Sequence, residues 1–289
     1  MGSMLSVSIV IPTWNESRRI LSCLRNATTQ TMPAHEIIVV DNRSTDNTHA
    51  LVEQFIAEHP GTNVRLTEQN EAQGLIPTRN KGLDMASGDI VARIDADCML
   101  KPNWVEIVSA FFEAHPGTAG VTGSVCYYDM PLPPIGMFFD GLVREKQYSA
   151  DGMPLLFGSN MAMRKSAWET IRPLVCEDRE DVFHEDIDCS LHLFDAGLTT
   201  QFCANLVVAA SARRMGTKHD SFKAYMRRFQ TTFDAHPTHG RDGYPERTLL
   251  KLYPLLNTMH HVYGAWCSIF KIDTPELVWK SFRCRVGLN

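Results

Sequence analysis

The sequence predicts an α/β fold: a Rossmann-like, mostly parallel sheet flanked by helices, followed by a helical C-terminal extension. Three observations predict it. Short, β-branched apolar runs recur through the first hundred residues. Each is followed by a segment with helical spacing of apolar residues, the alternation that builds βαβ units. The runs are apolar at successive positions rather than alternating, as expected of strands covered on both faces.

The elements follow in order. SVSIVIP (6–12) is a strand closed by proline, and a helix over about 16–28 places Ile20, Leu21 and Leu24 on one side. EIIVVD (36–41) is the second strand, and a helix over 46–58 carries Leu51, Val52, Phe55 and Ile56 on one face. NVRLTE (63–68) is a weaker third strand, 78–88 a short helix closed by Gly88, and IVARID (90–95) the fourth strand. A helix over 103–115 leads to a strand over 120–129, and PLPP (131–134) opens a long irregular segment. A strand over 155–164, a helix over 184–197 and extended chain at 198–204 and 206–210 come next. From about Phe222 the pattern is helical. Leu252 to Phe270 contains no charged residue, but its Pro254, Asn257, His260, His261 and Gly264 suit a core or interfacial helix pair better than a membrane span. Two units are expected: residues 5–215, and a helical extension over 216–289.

Composition sets the class. Of 289 residues, 44% are hydrophobic and 21% charged, which is ordinary for a soluble globular chain. The opening MGSM reads as an added leader before Met4 and is set aside; no secretory signal is expected after it. Eight cysteines occur without any C-x-x-C pair, which argues against a disulfide framework and a zinc site and fits a cytoplasmic location. From Arg213 onward 13 Lys and Arg face 6 Asp and Glu, a net +7, while the rest of the chain carries −12. A basic tail on an acidic body suits an anionic ligand or the anionic inner face of a membrane. Nucleic acid is not an expected partner.

In parallel sheets ligands bind beyond the carboxyl ends of the strands, where Pro12, Asp41 and Asp95 stand. IVARIDADCML (90–100) runs apolar and then presents Asp95 and Asp97, which share a side if the strand continues. As a calcium loop the stretch fails, because Met99 and Leu100 fall where an oxygen ligand and the turn glycine belong. A half-built oxygen site is what magnesium or manganese uses when substrate phosphates complete its shell.

Five ordered blocks carry a resemblance: IVIPTWNE (9–16), IIVVDNRSTDNT (37–48), RNKGLDMASGDIVARIDAD (79–97), GSNMAMRKSAW (158–168) and HEDIDCSLHL (184–193). Over residues 5 to 215 the chain resembles the inverting family-2 glycosyltransferases of GT-A fold. The resemblance implies a nucleotide-sugar donor, a hydroxyl-bearing acceptor (a glycan or a lipid-linked one) and a Mn2+ or Mg2+ cofactor. It places Pro12, Thr13 and Glu16 around the nucleoside, and gives Asp41 a hydrogen bond from the base. A carboxylate there suits uracil N3–H, so a UDP-sugar is favoured. The same resemblance sets Arg79 near the donor, Asp95 on ribose or sugar and the metal edge, and Asp97 on the metal itself. Asn160 falls to sugar recognition, and Arg213 and Arg214 to the diphosphate, with His219 as an additional metal ligand or a surface residue. Asp186 becomes the general base for in-line attack, with Glu185 orienting acceptor or base and Asp188 structural.

No Q-x-x-R-W segment is present, which favours transfer of one sugar over polymer synthesis. The alternatives are a sugar-nucleotide pyrophosphorylase, disfavoured because IPTWNESRR lacks the glycine-rich phosphate loop, and a non-catalytic nucleotide-sugar-binding protein. Basic and aromatic residues near Tyr263, Trp266 and Phe270 suit peripheral membrane contact, or else a helical cap or homodimer contact.

Overall fold

A computed structural model describes residues 4–146, 149–178, 180–241 and 245–286. The first half alternates as expected: β1 (Val7–Thr13), α1 (Ile20–Thr28), β2 (Glu36–Asp41), α2 (Thr48–Glu58), β3 (Val64–Glu68), α3 (Leu75–Met85), β4 (Ile90–Arg93). Then come β5 (Met99–Leu100), α4 (Trp104–Ala114), β6 (Thr118–Tyr127), α5 (Pro133–Lys146) and the two-residue strands β7 (Ser149–Ala150) and β8 (Met153–Pro154). β9 (Met161–Arg164), α6 (Lys165–Ile171), α7 (Glu185–Asp195) and β10 (Thr199–Ala210) complete the sheet region, and α8 (His219–Ala235), α9 (Pro245–Ile269) and α10 (Thr274–Val286) follow.

Eight strands form one sheet in the order β3-β2-β1-β4-β9-β6-β10-β5. β3, β2, β1 and β4 are mutually parallel, β9 is antiparallel to both its neighbours, and β6 and β10 run parallel. Every residue of β1, β2 and β4 is buried. Alternate residues feed two cores, as the pleat requires. Ile9 and Ile11 pack with Leu24, Phe55, Trp104 and Val108 on the α1, α2 and α4 side. Val10 packs with Leu83, Trp168, Ile187 and Leu191 on the other. Phe222, Met226 and Phe229 of α8 join that second core, each large apolar side chain contributing roughly 1.5–3 kcal/mol when fully buried.

Several segments depart from expectation for physical reasons. Residues 133–146 are helical rather than irregular: Pro133 sits at the first helical position, where its missing N–H is not needed. The helix is amphipathic in an inverted sense. Asp140 accepts the Val125 N–H (2.8 Å) and holds Arg144 (2.8 Å) against β6. Ile135, Phe138, Phe139 and Leu142, at helical spacing, face solvent. The two extended pieces near 198–210 are one strand, β10, whose register against β6 shifts between Cys203 and Val207. Gly123 opposite the shift admits it, because a Cβ there would meet the Leu206 carbonyl at 1.9 Å. The strand expected over 155–164 is confined to Met161–Arg164, since a turn closes at Asn160 N–H to Phe157 O (2.8 Å). Residues 252–269 lie in one long helix, α9, which carries Pro254 inside it, rather than in a helix pair. Tyr253 stacks on Phe222 (4.6 Å) and Asn257 donates to the Met215 carbonyl (2.6 Å), fixing α9 on both sides of the proline.

Candidate active site

The site forms where β1, β2 and β4 end. Pro12 is buried in β1 beyond the last rung shared with β4, so its lack of an N–H breaks no ladder bond on that side. Thr13 ends the strand and donates its hydroxyl to the Ile11 carbonyl (3.1 Å). The loops after β1 and β2 are clipped together through Asn15, whose left-handed backbone (φ 55°) suits asparagine. Its side-chain oxygen accepts the Thr45 N–H (2.7 Å), and its own N–H reaches the Ser44 hydroxyl (2.9 Å). Asp41 is buried at the end of β2. One of its oxygens accepts the Ser44 hydroxyl, and the other lies 3.4 Å from His49 Nδ1.

β4 stops at Arg93, so Asp95 and Asp97 stand in a turn, closed by Cys98 N–H to Asp95 O (2.9 Å), and not on a continuing strand. The turn separates their environments. Asp95 is one-third exposed and accepts the Ser159 hydroxyl (2.7 Å), whereas Asp97 is 6% exposed and faces Arg213 Nε at 3.3 Å. Arg213 also binds Glu16 (2.6 Å), so one guanidinium bridges the β1 loop to Asp97. Burial pushes the Asp97 carboxyl up to about 7, helped by Asp95 and Glu16 and opposed by Arg213. Asp129, at the end of β6, fixes the loop that carries Arg213 by accepting the Ser211 hydroxyl and the Ala212 N–H (2.6 Å). The Tyr128 hydroxyl donates to the Asp97 carbonyl (3.1 Å).

On the far side, α7 begins with Glu185 and Asp186, both buried. Asp186 Oδ2 accepts the Gly158 N–H (2.8 Å) and Oδ1 accepts the Ile187 N–H (2.9 Å). Burial, then the neighbouring Glu185 charge, pushes the Asp186 carboxyl up to about 7 despite those bonds and Arg93. Arg93, 3% exposed, joins the two halves: Nη1 binds Glu185 (2.7 Å) and Nη2 binds Asp95. Gly158 makes room for it, since a Cβ at that position would sit 1.5 Å from Arg93 Nη1.

The profile of Glycosyl transferase family 2 matches residues 8–172. This chain belongs to glycosyltransferase family 2. It is 38% identical over 102 residues to the glycosyltransferase AglE of Haloferax volcanii, a segment spanning 35% of this chain and 33% of that protein. Over 286 residues, 98% of this chain and 79% of the relative, it is 23% identical to the uncharacterized glycosyltransferase YibD of Escherichia coli K12. In fold it is similar to the mannosyltransferase PcManGT of Pyrobaculum calidifontis, solved with GDP-Man and Mn2+ (TM-score 0.64, 20% identity, 99% of this chain and 84% of that one). It is also similar to residues 1–349 of S. aureus TarS with UDP-GlcNAc (TM-score 0.57, 17% identity, 79% and 66%). The expected fold class is therefore borne out, and the chain is a glycosyltransferase rather than a pyrophosphorylase.

Within this family-2 chain, the donor atoms of Asp95, Asp97 and Cys98 lie within 4.8 Å of one another. The Cys98 thiol is buried against Asp97 (3.9 Å) and the Ser159 carbonyl (3.7 Å), and for a hard cation the two carboxylates are the ligands on offer. Two hard carboxylate oxygens fit Mn2+ or Mg2+ better than a softer ion. His219 stands apart, more than half exposed and 3.8 Å from Asp220.

Two expected ligands lie elsewhere. Arg79 is fully buried: its guanidinium donates to the Glu185 carbonyl (2.7 Å) and to Asn80, and lies over Trp168 (5.8 Å), so it braces α7 instead of facing the donor. Asn160 is fully buried too. It accepts from Trp104 Nε1 (2.9 Å) and donates to the Ser124 (3.0 Å) and Leu206 (2.9 Å) carbonyls, which leaves no side-chain donor for a sugar. Arg214 is exposed and lies over the Tyr225 ring (4.6 Å). Sequence reasoning missed Arg93, whose signal was an arginine inside the otherwise apolar strand IVAR; a buried guanidinium needs carboxylate partners.

Proposed function

We propose that the chain moves one sugar from a UDP-sugar to an acceptor hydroxyl with inversion, in a single displacement that depends on a divalent cation. The observation that carries this is the pairing, through Arg93, of an open two-carboxylate turn with a buried, proton-seeking Asp186. A bound Mn2+ or Mg2+ would supply Lewis-acid neutralisation of the departing diphosphate. Asp97, with Asp95 at its edge, would hold it. Asp186 takes the acceptor's O–H proton as the oxygen bonds to the anomeric carbon, and the bond from that carbon to the diphosphate breaks on the opposite face. Glu185, held by Arg93, orients the base. Arg213, which pairs with Asp97 and Glu16, and the exposed Arg214 would meet the released diphosphate.

Asp41 favours uridine. One of its oxygens takes the Ser44 hydroxyl and the other meets the Ser44 N–H (3.4 Å) beside His49, so the carboxylate is not free to fork onto the two-donor edge of guanine, whereas one remaining lone pair suits the single N3–H of uracil. Thermal-shift titration with UDP and GDP, each with Mn2+, tests the donor and the cation together, because a ligand specific to the folded state raises its stability. UDP is expected to stabilise more than GDP, with the Mn2+-dependent part lost in Asp97→Ala. Equal shifts for the two nucleotides would remove the uridine assignment, and a retained Mn2+ increment would remove Asp97 from the metal.

We also propose that the acceptor is reached at a membrane surface. No helix among the described residues is long and apolar enough to cross a membrane. Ile135, Phe138 and Phe139 on α5 and Val262, Trp266 and Ile269 on α9 nevertheless present large apolar side chains to solvent, in a molecule whose C-terminal third is basic. Such faces lie in the headgroup layer of anionic bilayers. Flotation with phosphatidylglycerol vesicles is expected to carry the protein upward at low salt. Phe138→Ser/Trp266→Ser should leave it in the dense fraction, and absence of wild-type flotation would remove the membrane contact.

A further inference from the structure

A second group of metal-ligating side chains lies outside the site described above, built around Asp188 and His192 of the helix that begins with Glu185. Asp188 is fully buried, and its Oδ1 lies 3.0 Å from His236 Nε2 and 3.5 Å from His192 Nε2. Its Oδ2 accepts the Cys176 N–H (3.0 Å), which fixes the carboxylate plane. Asp188 and His192 are one turn apart on α7, the i, i+4 spacing that puts two ligands on one helix face. Donor atoms of Cys176, Asp188 and His192 fall within 4.8 Å of one another, and so do those of His192, Asp195 and His236. The two imidazoles meet edge-on, 4.7 Å between centroids at 78°. The buried His192 Nε2 has only the long 3.5 Å approach to Asp188, short of a well-formed hydrogen bond, a state that a cation would relieve.

We propose that Cys176, Asp188, His192 and His236 form a zinc site. A zinc tetrahedron with bonds of about 2.0–2.3 Å has edges of roughly 3.5 Å. The Asp188–His236 (3.0 Å) and Asp188–His192 (3.5 Å) separations bracket that edge, and the Cys176 thiol lies within 4.8 Å of Asp188 and His192; Cys176 and His236, which fall in different triads, must draw together to close the shell. Thiolate and imidazole ligands select zinc over the harder Mn2+ or Mg2+, which keeps the two cation sites of this enzyme chemically distinct. One thiolate, one carboxylate and two neutral imidazoles cancel the charge of Zn2+, so binding buries no net charge and releases the thiol proton to solvent. Asp195 holds the neighbouring His239 (3.0 Å) and supplies an outer shell next to both histidines. The ligands come from the loop after α6, from α7 and from the residue that ends α8. Zinc would therefore pin the helix bearing Asp186 to the first helix of the C-terminal region.

The experiment uses the full chain stripped with chelator and refilled with Zn2+ or Co2+. One zinc per chain is expected to remain after dialysis in both the wild type and Asp97→Ala. Co2+ should give the visible bands of a tetrahedral centre together with a thiolate charge-transfer band. Cys176→Ser should abolish that charge-transfer band, and His236→Ala should weaken zinc by more than the roughly 10–100-fold typical of losing an outer-shell partner. Far-UV circular dichroism of each variant in chelator checks its folding, and if His236→Ala does not fold, the cobalt spectrum of Cys176→Ser decides. Wild-type protein that holds no zinc and shows no cobalt bands would overturn the site. So would zinc retention that survives Cys176→Ser and His236→Ala but is lost in Asp97→Ala.

Discussion

Asp186→Asn is expected to bind donor with wild-type affinity and to lose about 10²–10⁴-fold in sugar transfer, the usual contribution of a positioned general base. The asparagine keeps the size of the side chain and an acceptor for one of the two backbone N–H groups that hold it, so the loss falls on turnover rather than on KM for the donor. The pH profile sharpens the assignment. Burial and Glu185 keep Asp186 protonated up to about 7, and only the ionised form accepts the acceptor's proton. Wild-type kcat/KM should therefore climb as pH rises through neutrality, and residual Asp186→Asn activity should lack that limb. Stability moves the opposite way. Between the ordinary value of 3.8 and about 7 the folded chain holds a proton that the unfolded chain has released. Ionisation therefore weakens the fold across that window, and the contribution is gone above it. Asp186→Asn removes this term, so its Tm should fall less than that of the wild type between pH 4 and pH 7. Transfer within threefold of wild type would remove Asp186 from the base role.

Arg93→Met is expected to cost about 3–5 kcal/mol of stability, the range for removing one partner of a buried ion pair. It should also lower activity beyond what the folded fraction explains. Arg93 is the shared counter-charge of Asp95 and Glu185, and Glu185 is buried beside the arginine that neutralises it. Methionine fills the volume but leaves the carboxylates unpaired. Arg93→Lys should recover part of the stability and less of the activity, because a point charge lacks the fork that reaches two carboxylates. Urea denaturation, with transfer measured well below the midpoint, separates the two effects. A change under 1 kcal/mol with normal transfer would show that the two halves of the site are independent.

The sheet was legible because burial on both faces writes itself as uninterrupted apolar runs. β2 and β4 fall inside the segments the sequence marks, and β1 runs one residue past its own. α5 was not, because its apolar side faces solvent and its opening prolines read as loop. The polar residues were legible in kind and not in direction. Asp95 and Glu185 meet at Arg93, whose lone charge inside the apolar strand IVAR was the one signal for it. Arg79 and Asn160 stand in motif positions, but their side chains turn inward, and only the packing of Trp104, Trp168 and α7 reveals that. Cysteine spacing argued against zinc for the same reason. Cys176 and His236 lie sixty positions apart, and no local pattern signals a ligand set assembled from a loop and two helices.

Gly158 has a consequence for how this enzyme can change. With arginine at position 93, even a methyl group at 158 would overlap the guanidinium, so an alanine there must evict the residue that couples the two carboxylate clusters. Shortening residue 93 first would open the space but strand Glu185. Either single step passes through a damaged protein, and pairing the two fills the space but still leaves Glu185 without its counter-charge. Position 158 is thus held to glycine for as long as position 93 is arginine, and a library that varies either alone will sample mostly losses.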